Sequence, residues 1–306
     1  MNILITGATG FLGRALCTQL HAQNHILWVY TRNTAKARQL LGEKAKHFVS
    51  RFDEIPDDAS IDAIVNLAGE PILFKRWTKK RKQQLENSRI GVTDQLLALI
   101  RRLDKKPELL ISGSAVGYYG NRGDRKLTEA SHGEEDFGHR LCAAWESRAI
   151  MARAYGVRVC IVRTGVVLDK DGGMLQGLLP PFKLGLGGRI GNGRQWMSWI
   201  HLEDWIGIVM MLIARRDLDG IFNATAPLPV TNAYFTAMLA KLLHRPAFFH
   251  IPAPVLRLLL GENAEVLLGG QRVFPKAISD AGYEFRFGDL RGALGAAISS
   301  CNSASE

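Results

Sequence analysis

Three glycines near the start of the chain have the type and spacing that bind a dinucleotide pyrophosphate. Residues 6–13 read Thr-Gly-Ala-Thr-Gly-Phe-Leu-Gly, so the glycines recur at every third position. Gly7 can take the tight turn that leaves a strand, Gly10 lets backbone N–H groups approach a phosphate, and Gly13 lets a helix pack closely. The N-terminus of the helix that follows offers free N–H donors and a partial positive charge. The cofactor contacts predicted here are Gly7, Thr9, Gly10, Phe11, Leu12 and Gly13.

The end of the second predicted strand indicates which dinucleotide binds. In NAD sites an acidic residue at this place accepts hydrogen bonds from the ribose hydroxyls. Residues 30–33 read Tyr-Thr-Arg-Asn and include no acid. Arg32 could instead hold the 2′-phosphate of NADP through charge-assisted hydrogen bonds, although an exposed arginine at a helix start has the same pattern. We favour NADP(H) as the cofactor, with Thr31 and Arg32 beside its adenosine.

Short apolar runs alternate with helical patterns through the first half of the chain. Strands are predicted at residues 2–6, 26–30, 46–50, 63–66, 108–112 and 157–163, and helices at 11–23, 34–41, 78–103 and 137–155. This alternation predicts repeated strand–helix–strand units, whose right-handed crossovers build a doubly wound parallel sheet. The predicted fold class is therefore α/β of the Rossmann type, with the ligand crevice beyond the carboxyl ends of the strands.

The composition of the sequence changes after residue 168. Glycines crowd residues 172–193, which predicts a long loop region, and long loops in compact domains tend to be functional. Helices follow at 203–215 and 232–243, on either side of a strand at 221–224, and two more helical patterns lie at 256–260 and 262–268. We predict an NADP-binding domain of residues 1–168 plus 220–245. A smaller C-terminal substrate lobe would comprise residues 169–219 plus 246–306.

The set of motifs resembles the extended and atypical short-chain dehydrogenase/reductases, which are relatives of NAD-dependent epimerases and dehydratases. Besides the glycine loop, the resemblance rests on Asn-Leu-Ala-Gly at 66–69, Ser-Gly-Ser-Ala-Val-Gly-Tyr-Tyr-Gly at 112–120, Arg-Thr-Gly-Val-Val-Leu at 163–168, Leu-Pro-Pro-Phe at 179–182, Gly-Leu-Gly-Gly at 185–188, Trp-Ile-His-Leu-Glu-Asp at 199–204 and Gly-Gly-Gln-Arg-Val at 269–273. Together they are similar to an epimerase-like subfamily with an added C-terminal domain. The resemblance extends over nearly the whole chain.

The resemblance implies further cofactor contacts. The residues that it places beside the adenine and ribose are Leu67, Ala68 and Gly69, and those beside the nicotinamide are Val166 and Val167. Arg89 stands where extended members often place a cofactor-facing asparagine. It is predicted to approach the negative charge of the cofactor, and a surface salt bridge is the alternative.

The catalytic pattern that the resemblance implies is incomplete. Family oxidoreductases use a serine that orients the substrate and a Tyr-x-x-x-Lys pair that exchanges a proton with it. Ser114 matches the serine. When Glu146 is aligned with the acid that commonly follows the pair, Gly138 takes the place of the tyrosine and Cys142 that of the lysine. Neither residue can perform the acid–base step.

Other side chains could replace the missing pair. Tyr118 or Tyr119 could bring a phenol toward the nicotinamide, or both could simply pack. His139 is interpreted as solvated and His201 as structural, beside an Asp204 that helps to start a helix. The predicted catalytic residues are Ser114 and Tyr118, without a metal. The predicted function is an oxidoreductase or epimerase of an unidentified small molecule, and the alternative is an NADP(H)-binding regulatory or sensor protein with little catalysis.

The glycine-rich segment offers a candidate substrate loop. Arg189, Arg194, Gln195 and Trp196 could present hydrogen-bond donors and a stacking face to an anionic or sugar-like ligand. The alternative is a structural loop that connects the two lobes.

The formal net charge of +10 is partly concentrated in residues 75–82, which contain six lysines and arginines. Such a cluster can bind nucleic acid, and Trp77 within it could stack on a base. We interpret it instead as a solvated basic face of the predicted helix at 78–103, since the chain has no recognised nucleic-acid motif.

The cysteines and the apolar runs indicate which other classes of protein can be excluded. Cys17 and Cys160 lie within apolar patterns, so we expect them to be buried free thiols. The four cysteines are far apart and form no CxxC pair, so we expect neither a disulfide framework nor a zinc site, and a reducing compartment. No apolar run is long enough to span a bilayer and no targeting segment is evident, which predicts a cytoplasmic protein without a membrane partner. By analogy with extended members, the helices near 90–103 and 140–155 could form a homodimer, and a monomer is the alternative.

Overall fold

The structure is a computed structural model that describes residues 1–73 and 75–299. Its strands in chain order are β1 (Asn2–Thr6), β2 (Ile26–Tyr30), β3 (His47–Val49), β4 (Ala63–Asn66), β5 (Leu109–Ala115), β6 (Lys126–Leu127), β7 (Arg158–Thr164), β8 (Val166–Asp169), β9 (Gly188–Ile190), β10 (Trp196–Met197), β11 (Trp199–His201), β12 (Gly220–Ala224), β13 (Val230–Thr231), β14 (Phe249–Ile251) and β15 (Arg272–Val273). Its α-helices are α1 (Phe11–Ala22), α2 (Thr34–Leu41), α3 (Lys79–Glu86), α4 (Val92–Arg102), α5 (Phe137–Ile150), α6 (Gly173–Lys183), α7 (Leu202–Ala214), α8 (Asn232–Leu243), α9 (Ala253–Leu260), α10 (Ala264–Leu268), α11 (Lys276–Asp280) and α12 (Leu290–Ser299).

A seven-stranded parallel sheet forms the centre of the molecule and confirms the predicted Rossmann-type fold. Its strand order is β3-β2-β1-β4-β5-β7-β12. The chain moves outward from β1 through β2 and β3, then returns to the other side of β1 with β4. This reversal between β1 and β4 is a topological switch point, where a crevice opens at the carboxyl ends of the strands.

Both faces of the sheet are covered, because successive side chains of a strand point to opposite faces. Ile3 and Ile5 belong to one core cluster together with α1 and α7, whereas Leu4 belongs to another cluster with α4. All three side chains are fully buried. This two-sided burial explains why β1 is continuously apolar rather than alternating.

A third cluster lies beyond this core and joins parts of the C-terminal half. It contains Trp199 together with apolar residues of α6, α8 and α12. Helix α7 lies within the predicted substrate lobe, yet its buried Trp205 and Ile208 pack in the central-sheet core. The proposed domain boundaries themselves stay a prediction.

The long loop predicted at residues 172–193 is wrong for its first half, which forms α6. Leu175, Leu179 and Phe182 follow a helical spacing and are buried on one face of this helix. Pro180 and Pro181 remove backbone donors inside the helix, but the packed apolar face keeps the segment helical. The glycines signalled a loop, while the period of the apolar residues carried the correct signal.

The helix predicted at residues 78–103 is interrupted. Helices α3 and α4 are joined by a π-helical turn, Asn87–Gly91, in which the backbone widens by one residue. Such turns are rare and occur frequently at functional sites. Here the turn carries Ser88 and Arg89, which contact the loop after β4.

Candidate functional site

A cleft of about 1160 Å³ opens at the switch point of the sheet. Its walls include Gly7, Thr9 and Gly10 from the glycine loop, Thr31 and Arg32 from the end of β2, and Leu67, Ala68 and Gly69 from the loop after β4. The structure therefore brings together eight of the residues predicted to bind the cofactor. A cleft of this volume can hold a nucleotide rather than a single small ion.

The glycine loop has the geometry that its sequence predicts. Gly7 has a φ of +70°, and a Cβ atom there would lie 2.4 Å from the Leu67 carbonyl oxygen. A Cβ atom on Gly13 would lie 2.2 Å from the Gly7 carbonyl oxygen, so only glycine lets α1 approach the loop. The N-cap of α1 is Gly10, and no side chain caps the helix. Its first N–H groups are therefore available to an anion.

The charges that line the cleft are mainly positive. The basic side chains in its walls are Arg14, Arg32, Lys36, Lys75 and Arg81. Among the wall residues that the structure describes, Glu70 carries the one opposing carboxylate. A cleft with this balance favours a ligand with several negative charges.

Glu70 is bound by two of these arginines. Its Oε1 accepts a hydrogen bond from Arg32 Nη2 at 3.1 Å, and its Oε2 accepts one from Arg81 Nη1 at 3.4 Å. Burial alone would raise the pKa of Glu70, but the hydrogen bonds and charges of the two arginines outweigh it and lower the pKa. Glu70 is therefore ionised at neutral pH and partly neutralises the end of the cleft near Arg32.

Arg89 lies behind the loop after β4 rather than in the cleft wall. Its guanidinium donates hydrogen bonds to the backbone oxygens of Glu70 and Leu85, and it lies over the Trp145 ring. A Cβ atom on Gly69 would come within 3.0 Å of it. Burial lowers the pKa of Arg89 from its ordinary value. The alternative of a surface salt bridge is wrong, and direct contact with a cofactor stays a prediction.

The other residues predicted to contact the cofactor have packing or strand contacts within the protein; they are Phe11, Leu12, Val166 and Val167. The Phe11 ring lies against residues 172 and 173, where a Cβ atom on the first would be 2.1 Å from the ring. Leu12 packs against the central core, and Val166 and Val167 lie in β8, which pairs with β11. Their predicted contacts with the cofactor stay predictions.

Ser114 begins a buried chain of hydrogen bonds at the end of β5. Its Oγ donates to Glu146 Oε1 at 2.6 Å, and the same carboxylate accepts two hydrogen bonds of 2.8 Å from Arg163. Burial alone would lower the pKa of Arg163, but the Glu146 carboxylate outweighs it and raises the pKa. The single hydroxyl proton of Ser114 is thus committed to a carboxylate, which leaves the oxygen as an acceptor.

The two adjacent tyrosines differ in what their phenols contact. Tyr119 is fully buried, donates to Asn223 Oδ1 at 2.7 Å and accepts from Arg163 Nη1 at 3.0 Å. Burial raises the pKa of Tyr119. Tyr118 is partly exposed, and the Arg163 guanidinium lies 3.4 Å from the centre of its ring. Within the described residues the Tyr118 phenol has no hydrogen-bond partner, so its proton is uncommitted.

Cys142, which the sequence analysis aligns with the lysine of the pair, lies near Ser114. Helix α5 begins at Phe137, and Cys142, one turn further on, is buried and interacts with the Ser114 hydroxyl and the Ala115 backbone. Burial raises the pKa of the Cys142 thiol to about 11, so it is protonated at neutral pH. Cys142 is thus a buried, neutral thiol, and its correspondence with the lysine of the family pattern stays a prediction.

The remaining histidine candidates have structural contacts. His139 Nδ1 lies 2.5 Å from the Tyr118 backbone oxygen, which corrects the interpretation of a solvated side chain. His201 is buried, caps α7 by accepting a hydrogen bond from Glu203 N, and has its pKa lowered by burial. Asp204 lies in the first turn of α7, but its carboxylate accepts hydrogen bonds from the backbone at residues 286 and 287. His201, not Asp204, is the capping side chain.

The candidate substrate loop is partly occupied by contacts within the protein. Gln195 Nε2 donates to the backbone oxygens of residues 190 and 267, and Trp196 donates to Asp124 and stacks under Arg272. These contacts favour the structural alternative for Gln195 and Trp196. Arg189 and Arg194 are exposed, and a role for them in substrate binding stays a prediction.

The basic cluster at residues 75–82 also makes contacts inside the protein. Arg76 donates to the Leu258 backbone oxygen at 2.7 Å, and Lys82 pairs with Glu262 at 2.6 Å. Trp77 is partly buried and donates to a backbone oxygen. The cluster therefore ties one wall of the cleft to the segment that includes α9, and is only in part a solvated face.

Sequence reasoning missed several residues of this site. Glu70, Lys36 and Arg14 were not selected, although the first directly follows the Asn-Leu-Ala-Gly motif and the last lies one residue beyond the glycine loop. Their positions next to these two motifs are the signal by which the sequence could have indicated Glu70 and Arg14. Arg163 belongs to a motif that carried the resemblance, but its pairing with Glu146 depends on contact between β7 and α5.

Cys17 and Cys160 are buried and free, as predicted, and Cys142 is buried and free as well. Cys301 lies outside the described residues. In the described part of the chain, no group of three His, Cys, Asp or Glu side chains could hold a metal ion. No helix among residues 1–73 and 75–299 is both long and apolar enough to cross a bilayer.

Family comparisons agree with this geometry and confirm the predicted resemblance. A family model described as the NAD dependent epimerase/dehydratase family matches residues 3–224, and one described as a domain of unknown function matches residues 251–297. An epimerase family protein of Mycobacterium bovis is 40% identical over 297 residues, which is 96% of each chain. The chloroplastic SDR39U1 homolog of Arabidopsis thaliana is 38% identical over 96% of this chain and 86% of its own.

A solved structure extends the likeness to the whole fold. The crystal structure of the human epimerase family protein SDR39U1 (isoform 2) with NADPH has a TM-score of 0.88 and 33% identity, over 98% of this chain and 99% of the human one. The UDP-glucuronic acid 4-epimerase of Bacillus cereus, solved with UDP-glucuronic acid and NAD, has a TM-score of 0.77 at 20% identity, over 97% of this chain and 98% of its own. The second comparison shows the fold alone.

Proposed function

Because the chain belongs to the NAD dependent epimerase/dehydratase family, we propose that it binds NADPH in the cleft at the switch point. We propose further that it acts as an NADP-dependent oxidoreductase or epimerase on a small molecule with a carbonyl or hydroxyl group. The observation that carries the proposal is the combination of an uncapped glycine loop with a basic wall around Arg32. The NADPH in the human relative supports the same choice.

The residues of the cleft fit this cofactor. The pyrophosphate would meet the free N–H groups at the start of α1, and the 2′-phosphate would meet Arg32, which is 85% exposed and can reorient. The loop of Leu67, Ala68 and Gly69 would cover the adenosine side. The nicotinamide, when bound, supplies a hydride donor or acceptor.

In the proposed reaction Ser114 acts as an acceptor. Its proton is held by Glu146, so its oxygen can receive a hydrogen bond from a substrate hydroxyl but offers no proton to a carbonyl oxygen. Reduction of a carbonyl needs a proton at that oxygen. We assign this donor role to Tyr118, whose phenol is uncommitted, rather than to Tyr119, whose phenol is held by Asn223 and Arg163.

A second function rests on the absent Tyr-x-x-x-Lys pair. With Gly138 and Cys142 at the aligned positions, the protein would bind NADP(H) and report it to a partner without turnover. Arg76 and Lys82 connect the basic cluster beside the cleft to the segment that includes α9. This connection favours the alternative, since a change in the cleft on cofactor binding could be passed to the C-terminal half.

Calorimetric titration with NADPH and NADH tests the cofactor. NADPH is expected to bind at least tenfold more tightly, and Arg32→Ala is expected to remove most of the difference. Arg38→Ala serves as the matched control, because Arg38 is an exposed arginine on α2 that lies over the Phe48 ring outside the cleft wall. Failure of both nucleotides to bind would contradict the proposal.

Single-turnover oxidation of bound NADPH in the presence of a panel of carbonyl compounds tests the reaction. Any substrate-dependent turnover supports the enzyme, and Tyr118→Phe is expected to lower its rate by about 10²-fold or more. Tyr234→Phe is the control, since Tyr234 is 52% exposed on α8. NADPH binding without turnover on any compound would favour the regulatory function.

A further inference from the structure

We propose that Glu70 is a built-in competitor for the 2′-phosphate of NADPH and sets how strongly the protein prefers NADPH over NADH. The inference rests on the proposed function, because it concerns the same cleft. Glu70 holds the arginine that the phosphate would need, so the phosphate must displace it.

The geometry of Glu70 resembles that of a bound phosphate. Each carboxylate oxygen accepts from a different arginine, Oε1 from Arg32 and Oε2 from Arg81. An oxyanion of the cofactor would accept hydrogen bonds from an arginine in the same way. Arg81 is largely buried, while Arg32 is 85% exposed, so Arg32 is the partner that can leave Glu70 for a ligand.

The backbone of Glu70 is held in place, so its carboxylate cannot leave the cleft with its loop. Glu70 N donates to Ser88 Oγ at 3.0 Å, and Glu70 O accepts from Arg89 Nη2 at 3.0 Å. Both partners lie in the π-helical turn between α3 and α4. After a phosphate takes Arg32, Glu70 remains close by as a like charge that is still paired with Arg81.

Two costs to NADPH follow from this arrangement. The phosphate has to break the Arg32–Glu70 pair, and it then lies near an ionised carboxylate in a partly desolvated cleft. NADH has no 2′-phosphate and meets neither cost. Glu70 therefore weakens the binding of NADPH but not that of NADH, and it reduces the preference for NADPH that Arg32 creates.

The test compares Glu70→Gln with the wild-type protein by titration with NADPH and with NADH. We expect the NADPH dissociation constant to fall by about three- to tenfold and the NADH constant to change by less than about twofold. The gain should shrink in 0.5 M salt, where charge effects between exposed groups are screened. Glu43→Gln, an exposed acid outside the cleft wall, removes the same charge and should leave both constants unchanged.

Further variants separate competition from a general change in the cleft. In an Arg32→Ala background, Glu70→Gln should give a clearly smaller gain, because the broken pair no longer exists. Glu70→Ala should also tighten NADPH binding. It serves as the second test if Glu70→Gln folds less well than the wild-type protein. An unchanged or weaker NADPH affinity in the folded variants overturns the role of Glu70 while leaving the cofactor proposal intact. Failure of the wild-type protein to bind either nucleotide overturns both.

Discussion

Replacing Arg163 with methionine would leave Glu146 as an unpaired charge in the protein interior. The two side chains are 1% and 5% exposed, and they share two hydrogen bonds of 2.8 Å. The substitution also removes the donor to the Tyr119 phenol and the cation over the Tyr118 ring. Methionine keeps an unbranched apolar stem but lacks the guanidinium, so the loss of charge and hydrogen bonds dominates over the loss of volume.

The expected loss of stability is large. Breaking a buried ion pair by removing one partner costs about 3–5 kcal/mol, because the remaining charge stays desolvated. An exposed pair gives a matched comparison: Arg153 and Asp219 lie 2.6 Å apart and are each 46% exposed. Arg153→Met should cost less than about 1 kcal/mol, since solvent already screens that pair.

Urea unfolding monitored by circular dichroism measures both variants. We expect Arg163→Met to lower the unfolding midpoint strongly and Arg153→Met to leave it nearly unchanged. Adding Glu146→Leu to Arg163→Met should recover most of the loss, because the unpaired charge is removed. Equal effects of the two arginine variants, or no recovery in the double variant, would show that Glu146 and Arg163 do not form the buried pair described above.

Two further predictions concern the glycine loop and pH. Gly13→Ala should destabilise the protein by about 1–3 kcal/mol and weaken NADPH binding in calorimetry, because its Cβ would meet the Gly7 carbonyl oxygen at 2.2 Å. Gly91→Ala has nothing within 4 Å and should do neither; equal effects would refute the packing argument. Burial lowers the pKa of His201 below 6.5, so its contribution to stability is present above pH 6.5 and is lost as pH falls through the lowered folded value. His201→Asn keeps a cap for α7, and urea midpoints at pH 7 and pH 5 should differ less in this variant than in the wild type; an equal difference would contradict the role of His201.

Local sequence patterns were sufficient to predict those elements that depend on a backbone conformation or on the period of the apolar residues. The predicted limits of β1, β2, α2, β4 and α8 coincide with those of the structure. In the glycine loop, the spacing predicted a tight turn at Gly7, which has a positive φ, and close helix packing at Gly13. The loop prediction failed at α6, because it rested on the glycines and not on the helical period of the apolar residues, which are buried there.

Residue types alone did not reveal which polar side chains are free. Tyr118 and Tyr119 are adjacent and chemically identical, yet Tyr119 is held by Asn223, which lies more than a hundred residues further along the chain. Ser114 matched a catalytic position, but only its contact with Glu146 shows that its proton is committed.

The sequence by itself determined the parallel α/β fold and the place of the glycine loop, because each depends on neighbouring residues and their period. The tertiary structure decided the charge state and availability of the site. Glu70 meets Arg32 only because β2 and β4 end at the same edge of the sheet, on either side of β1. Coulomb and hydrogen-bond energies depend on distances in space, and the sequence does not contain those distances between remote residues.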